Sequence, residues 1–318
     1  MKKLHLLLAL LFLACDASSG STSRGVKPDK IQWPIGLPVY DHVVIVVEEN
    51  KDYEQIIGNA AAPYINQLRA EGASFTRMFA EEHHSQGNYF WLFSGSNQSI
   101  GFNDIVPRRP IVAPNLGEGL IAAGRSFKAY SEDLPAIGST ARRAGLYARK
   151  HAPWVSFKNV PASASLRWQD FPADYADLPT VSFVIPNLSH DMHDGKVPAS
   201  IAAGDAWLKK SLDGYRRWAK DHNSLLIVTF DENDHGPAGL TDPAARDWRR
   251  RNRIVTIFAG ARIDPGEYPE GKGITHVNVL RTLEAMYGLE RSGAQQPYAR
   301  AAGITDDAIL TDIFKLLP

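Results

Sequence analysis

The sequence predicts an α/β fold on a mostly parallel central sheet. Three observations predict it. Short, continuously apolar, β-branched runs recur along the chain and suit strands buried on both faces. Helical stretches separate them, as alternating βα units require. Acidic and histidine clusters follow three of the runs directly, where open α/β sheets place their sites. The elements come in this order. Val43–Val47 is the first strand, and a helix over 62–73, with Ile65 and Leu68 at helical spacing, ends at Gly72. Ser74–Phe79 reads as a second strand, followed by Ser126–Tyr130, Thr180–Ile185, Leu225–Phe230 and Ile254–Phe258. Helical stretches lie near 137–150, 198–221 and 276–287.

The N-terminus carries a separate signal. Lys2 and Lys3 precede an apolar run from Leu4 to Ala14, broken only by His5. The run is shorter than the roughly 20 residues a membrane-spanning helix needs, and it fits the core of an export leader. Leu-Ala-Cys at 13–15 has the form of a bacterial lipobox, with the single cysteine, Cys15, as the lipidated residue; an ordinary secretory cut that removes Cys15 is the other reading. Either way no internal disulfide is expected. Residues 16–36, rich in Ser, Gly, Lys and Pro, read as a tether, leaving 37–318 as the functional domain. With 35 basic and 35 acidic residues, the chain has no global basic field for nucleic acid. A periplasmic or cell-surface lipoprotein, or a secreted protein, is the expected location.

The polar clusters suggest chemistry. Glu49 and Asn50 follow the first strand, and Asp231 and Glu232 follow the strand ending at Phe230. Together they offer the oxygen donors that hard divalent cations prefer. Ser85 lies between them in sequence, within His83-His84-Ser85-Gln86-Gly87-Asn88-Tyr89 and ahead of a helical stretch. Metal coordination would activate its hydroxyl, and a helix N-terminus there would favour a bound phosphate, with Asn88 as a further donor. A serine opening a helix also serves as an N-cap, so the local sequence leaves both roles open. A second group, Asn187, His190, Asp191, His193 and Asp194 joined by His276, could hold a second metal or stabilise the leaving group. The basic run from Asp247 to Arg253 reads as a solvated loop or a contact to an anionic membrane, and His235 as a loop residue within reach of the site.

These segments, in consistent order over about residues 40–290, resemble the phosphoesterase family of bacterial acid phosphatases and phosphatidylcholine-type phospholipases C, within the alkaline phosphatase superfamily. The carriers are the run from His42 through Glu49-Asn50 to Tyr53, Ala62–Asn66, His83–Tyr89 with Phe93–Ser96, and Lys128–Pro135. Tyr147–His151, Pro186–Gly195, Thr229–Glu232 and His276–Glu284 complete the set. The resemblance implies a three-layer alkaline-phosphatase-like sandwich and a hydrolase acting on phosphate monoesters through a phosphoserine at Ser85. It implies a divalent metal, one ion or two, held by Glu49, Asn50, Ser85, Asp231, Glu232 and Asp191. His193 and His151 are implied as catalytic, and His83, Asn88, Asn187 and His276 as substrate-binding. The substrate would be a small phosphorylated compound or a lipid headgroup, with membrane attachment through Cys15. The alternatives are a phosphodiesterase or phospholipase C, a phosphoinositide phosphatase, or a non-catalytic lipoprotein that binds metal or phosphate. His84 and Gly87 stand where the family often has prolines, which is expected to loosen the turn that holds Ser85.

Overall fold

A computed structural model describes residues 36–100, 104–234 and 252–315. The leader, Cys15, the tether up to residue 35, His235 and residues 247–251 of the basic run lie outside the described residues. Strand β1 (His42–Glu48) is followed by α1 (Tyr53–Ile56), α2 (Pro63–Glu71), β2 (Ala73–Phe75), β3 (Met78–Phe79), α3 (Ser85–Ser94) and α4 (Leu116–Ala122). Next come β4 (Phe127–Ser131), β5 (Arg143–Ala144), β6 (Tyr147–Ala148), β7 (Ser165–Arg167), β8 (Val181–Ile185), α5 (Ala199–Asp221) and β9 (Ser224–Phe230). Then follow β10 (Thr256–Gly260), β11 (Gly266–Tyr268), β12 (Ile274–Thr275), α6 (His276–Tyr287) and α7 (Pro297–Ala301).

The main sheet runs β11-β2-β10-β9-β1-β8-β4-β7. Its core β9-β1-β8-β4-β7 is parallel, while β10 pairs antiparallel with both β9 and β2. Every residue of β9 and β8 is buried, as is β1 beyond His42, and this is why these strands read as mostly apolar runs without a polar face. Helices α2 and α5 pack on β9, β10 and β2, and α5 reaches across to hold α2: Asp205 accepts from the Tyr64 and Ile65 amides at 3.0 and 2.8 Å. Those are two of the amides that a helix start leaves without partners. Helices α3, α4 and α6 form the other layer, where Phe93 of α3 packs edge-on to Phe183 of β8 and against Phe127 of β4.

Three expectations change. Residues 137–150 are not a helix but the β5–β6 hairpin leading to a 3-10 turn, Arg149–His151. Gly138 and Gly145 sit at positive φ (69° and 57°), which breaks the helical path. Ser74–Phe79 is two short strands in different sheets, because Thr76 and Arg77 turn the chain out of the main sheet. Arg253, from the end of the basic run, is structural: its guanidinium lies 3.6 Å from the Tyr53 ring centroid and donates to Glu54 Oε1 at 2.6 Å. No helix among the described residues is long and apolar enough to cross a membrane.

Candidate active site

Strands β9, β1 and β8 are neighbours and parallel, so the segments that follow them emerge side by side. Glu49-Asn50 leaves β1, Asp231-Glu232 leaves β9, and the loop to Asp191 leaves β8. Backbone bonds tie the three together: the Glu49 amide donates to the Asp191 carbonyl at 2.7 Å, and the Asp231 amide to the Glu48 carbonyl at 2.9 Å. Asn50 takes a left-handed conformation (φ 47°), and its amide donates to Asp231 Oδ1 at 3.0 Å. Asparagine is among the few non-glycine residues that adopt this region readily.

Ser85 is the first residue of α3, with His84 at the cap position, so it is not the N-cap. Its Oγ donates to Glu49 Oε2 at 3.1 Å or to Glu232 Oε1 at 3.3 Å. The serine and the two carboxylates thus share one buried cluster with Asp231. The end of the Asn50 side chain faces the same acids. With its nitrogen inward it donates to Glu232 Oε1 at 3.3 Å and to Asp231 at 3.2 and 3.3 Å. With its oxygen inward it faces those carboxylate oxygens directly, an orientation that a cation between them or a proton on one carboxyl stabilises.

The electrostatics point the same way. Burial, then the negative charges of Asp231 and Asp191, hold the Glu49 carboxyl well above the usual carboxylate range. Burial and Glu232 push Asp231 up to about 7, and burial and Asp104 push Glu232 up to about 8. Asp191 is raised as well, chiefly by burial. Lys150 is the cation that faces this group. Burial opposes its charge, but Glu49 and Asp104 outweigh burial and raise its pKa. Four buried carboxylates facing one another are stable only if protons or metal ions neutralise them. The donors are carboxylate and amide oxygens with one imidazole, a set that fits a divalent ion.

Glu49 also joins a second cluster. Its Oε1 accepts the Tyr89 hydroxyl at 2.6 Å and lies 3.2 Å from His151 Nε2, while His151 Nδ1 lies 3.6 Å from Asp191 Oδ2. Potential ligand atoms of Glu49, His151 and Asp191 all lie within 4.8 Å of one another. The Tyr89 ring stacks on His151 at 5.1 Å between centroids. Burial, then the charge of Lys150, lowers the His151 pKa well below the ordinary range, so its imidazole is neutral. A neutral imidazole can serve as a metal ligand, and His151 stands with Glu49 and Asp191 where it could do so.

The remaining expected residues separate. His193 lies at the edge of the second cluster. Its ring is 6.4 Å from His151, its amide donates to Asp191 Oδ1 at 2.8 Å, and its Nδ1 contacts Asp194 at 2.8 Å. His83 meets Glu232 Oε2 through Nδ1 at 2.7 Å. Asn88 clamps the loop: its oxygen accepts from the Glu81 and Glu82 amides and its nitrogen donates to the Glu82 carbonyl. Asn187 faces away, bonding Asp133 and capping Ser189 and His190, while His190 pairs with Glu132. His276 is buried with Nε2 2.8 Å from the Phe230 carbonyl, and burial lowers its pKa to about 4. A neutral histidine there fixes the strand end that presents Asp231.

Gly87 does not loosen the turn. A Cβ there would overlap the Glu82 carboxylate, which Trp91 Nε1 and Asn97 Nδ2 hold at 3.1 and 2.9 Å. The helix start is also partly taken, because Asp104 Oδ1 accepts the Gln86 amide at 3.1 Å and Asp104 Oδ2 pairs with Lys150 at 3.0 Å. Sequence reading missed Tyr89, Lys150, Glu82 and Asp104 as site residues. Only Tyr89 left a trace, four residues after Ser85 and so on the same helical face.

Comparison with known proteins shows the family and the fold. Residues 59–290 match the Phosphoesterase family. A Mycobacterium tuberculosis protein named phosphatidylinositol-3-phosphatase is 50% identical, over 81% of this chain and 80% of its own length. A phosphate-repressible acid phosphatase of Penicillium chrysogenum is 28% identical over 80% of this chain, which spans 60% of that relative's length. Among solved structures, a Vibrio parahaemolyticus protein of the alkaline phosphatase superfamily superimposes with TM-score 0.56 at 13% identity, covering 81% of this chain and 70% of that one. The lipoteichoic acid synthase of Listeria monocytogenes gives TM-score 0.52 at 14% identity, covering 84% and 75%.

Proposed function

The chain belongs to the phosphoesterase family and is a phosphatase, and on that premise we propose that it hydrolyses phosphate monoesters through a phosphoserine at Ser85. The observation that carries this reading is the Ser85 hydroxyl at the start of α3, directed at the buried carboxylates of Glu49 and Glu232. Glu49, Asn50, Ser85, Asp231 and Glu232 would hold one divalent ion. Asp191 and His151, sharing Glu49, supply the donors for a second. Such ions neutralise the acids, lower the hydroxyl pKa and stabilise charge on phosphoryl oxygens. The protein's own residues do the rest. Either Glu49 or Glu232 accepts the single Ser85 proton, and both orient Oγ for in-line attack on phosphorus. Lys150 contributes positive charge on the side of Glu49. His193, at the partly exposed edge, donates a proton to the leaving oxygen and then takes one from the water that hydrolyses the phosphoserine.

A phosphoinositide is the substrate supported by the 50% identical relative, whose name states that activity. The lysine pair and apolar run at the N-terminus support export, with Cys15 as the attachment point; loss of lipid labelling in Cys15→Ser tests this. The test of mechanism is Ser85→Ala with p-nitrophenyl phosphate, bis(p-nitrophenyl) phosphate and a phosphoinositide, alongside acid-quench trapping of labelled phosphoenzyme. Monoester turnover should fall by at least about 10³-fold, as for removal of a nucleophile, and the trapped species should vanish. Turnover within a few-fold of wild type would refute the assignment, and a diester rate above the monoester rate would transfer the enzyme to the phosphodiesterase class.

A further inference from the structure

We propose that the surface beside Ser85 is a docking face for an anionic phospholipid bilayer. The chain is formally neutral, yet residues 105–117 and 136–164 contain Arg108, Arg109, Arg142, Arg143, Arg149, Lys150 and Lys158 and no aspartate or glutamate. Arg108, Arg109, Arg142, Arg143 and Lys158 are exposed. The three most exposed large aliphatic side chains among the described residues lie in the same two segments: Val112 at 75%, Ile105 at 60% and Ile137 at 51%. Exposed aliphatic side chains in two segments whose only charged residues are cations are unfavourable on a free surface. They match an interface where apolar groups enter the acyl boundary and cations meet lipid phosphates.

The two segments form one surface that continues into the site. Ile111 bridges to Phe157, and its amide donates to the Ser156 carbonyl at 2.8 Å. Pro110, Gly138, Thr140, Val155 and Lys158 border a common cavity of about 330 Å³ whose floor includes Trp154. Gln86, the residue after Ser85, donates from its side chain to the Ile105 carbonyl at 2.9 Å and from its amide to Asp104. The 3-10 turn that carries His151 lies within the second segment. A bilayer held on this face would therefore present its headgroups beside the nucleophile. The docking claim stands on the surface itself and rests on the monoester reading only for what happens after docking.

The experiment is co-sedimentation of the full chain with phosphatidylcholine vesicles, with and without about one-fifth phosphatidylserine. The variants are Arg108→Gln/Arg109→Gln, Val112→Ser/Ile137→Ser and Ser85→Ala, all with the same N-terminus. Wild type should bind the anionic vesicles more tightly and lose affinity as salt rises. At about 1 kcal/mol for each cation near such a surface, the arginine pair should cost roughly thirtyfold in vesicle affinity, and the aliphatic pair should weaken binding as well. Both double variants should turn over soluble p-nitrophenyl phosphate like wild type, while Ser85→Ala should dock normally without turnover. Vesicle binding unaltered in both double variants would overturn the proposal. So would tight binding to heparin or DNA without vesicle binding, which would make the face a polyanion site. Docking without phosphatase activity in wild type would leave this proposal standing and sink the catalytic one.

Discussion

Tyr89→Phe tests whether Glu49 is held for metal by its neighbours. The hydroxyl donates to Glu49 Oε1 at 2.6 Å, in the short range expected for an O–H bonded to an ionised carboxylate. Both groups are buried, so water cannot replace the lost donor. The ring remains, and with it the stacking on His151, so the fold should be conserved. A hydrogen bond to a charged group contributes about 1.5–3 kcal/mol, which corresponds to roughly 10- to 100-fold in binding. Partners of metal ligands, when removed, cost a similar factor. The Tyr89 bond also lowers the Glu49 pKa against the effect of burial, so its loss should move the acid limb of metal binding to higher pH. The assay is calorimetric titration of metal-stripped protein with Mn²⁺ or Zn²⁺ across pH 5.5–8, with p-nitrophenyl phosphate turnover at saturating metal. The expected result is metal affinity down about 10- to 100-fold, the limb shifted upward, and kcat at saturation within a few-fold of wild type. Affinity within threefold of wild type and an unmoved limb would refute the argument that Tyr89 prepares Glu49.

Further outcomes follow from the same geometry. With Asp231 raised to about 7 and Glu232 to about 8, the metal-free protein takes up protons on folding; that stability is complete below the unfolded carboxylate range near 4 and is lost as pH rises through 8. Metal requires the deprotonated acids, so the rise in Tm on adding metal should grow from pH 5 to pH 8, and a constant rise would contradict the metal set. Gly87→Ala forces Glu82 away from Trp91 and Asn97 and should lower stability by about 1–3 kcal/mol in denaturant unfolding; an unchanged midpoint would refute the packing argument. Glu48 is buried with neither side-chain oxygen hydrogen-bonded, and burial, then Asp191, raises its pKa well above the usual range. Glu48→Gln removes the need to bind that proton and should therefore gain stability over wild type as pH rises above about 5, by up to about 1.4 kcal/mol per pH unit; a gain independent of pH would show that Glu48 is ionised.

The parallel core was legible because β1, β8 and β9 are buried on both faces and so are mostly apolar, with only small hydroxyl residues such as Ser182 and Thr229 between the apolar ones. The acids at the ends of β1 and β9 were legible for the converse reason, as charges directly after such runs. The β5–β6 hairpin was not, since two-residue strands have no periodicity to read, and its glycines resemble helix ends. The partners of Asn88, Asn187 and His276 were not legible because an amide or imidazole in a polar segment does not reveal which backbone or side-chain groups it meets. Asn88 spends its groups on Glu81 and Glu82, seven and six residues back, and His276 bonds a carbonyl 46 residues away. Lys150 and Asp104 were invisible as a pair because only the folded chain brings the hairpin turn to the start of α3.

Why the site tolerates so much buried charge follows from its position. Glu48 and Glu49 end the central strand, and successive residues of a strand face opposite sides of the sheet. Glu49 therefore meets α3 and the acids that follow β9, while Glu48 is held among Asp191, Asp205 and Glu132. Neither carboxyl reaches water, and the pairings of β1 with β8 and β9 keep the strand end from moving to relieve them. The scaffold thus holds these acids where protons or cations must neutralise them, before any substrate arrives. Preorganisation of this kind costs stability in the metal-free protein and returns it on binding. It also explains the supports around Glu49. Tyr89, Ser85 and His151 each contact one of its two oxygens: α3 holds both oxygens through Ser85 and Tyr89, and the 3-10 turn adds His151. Loss of any one contact should change how Glu49 binds metal more than how the protein folds.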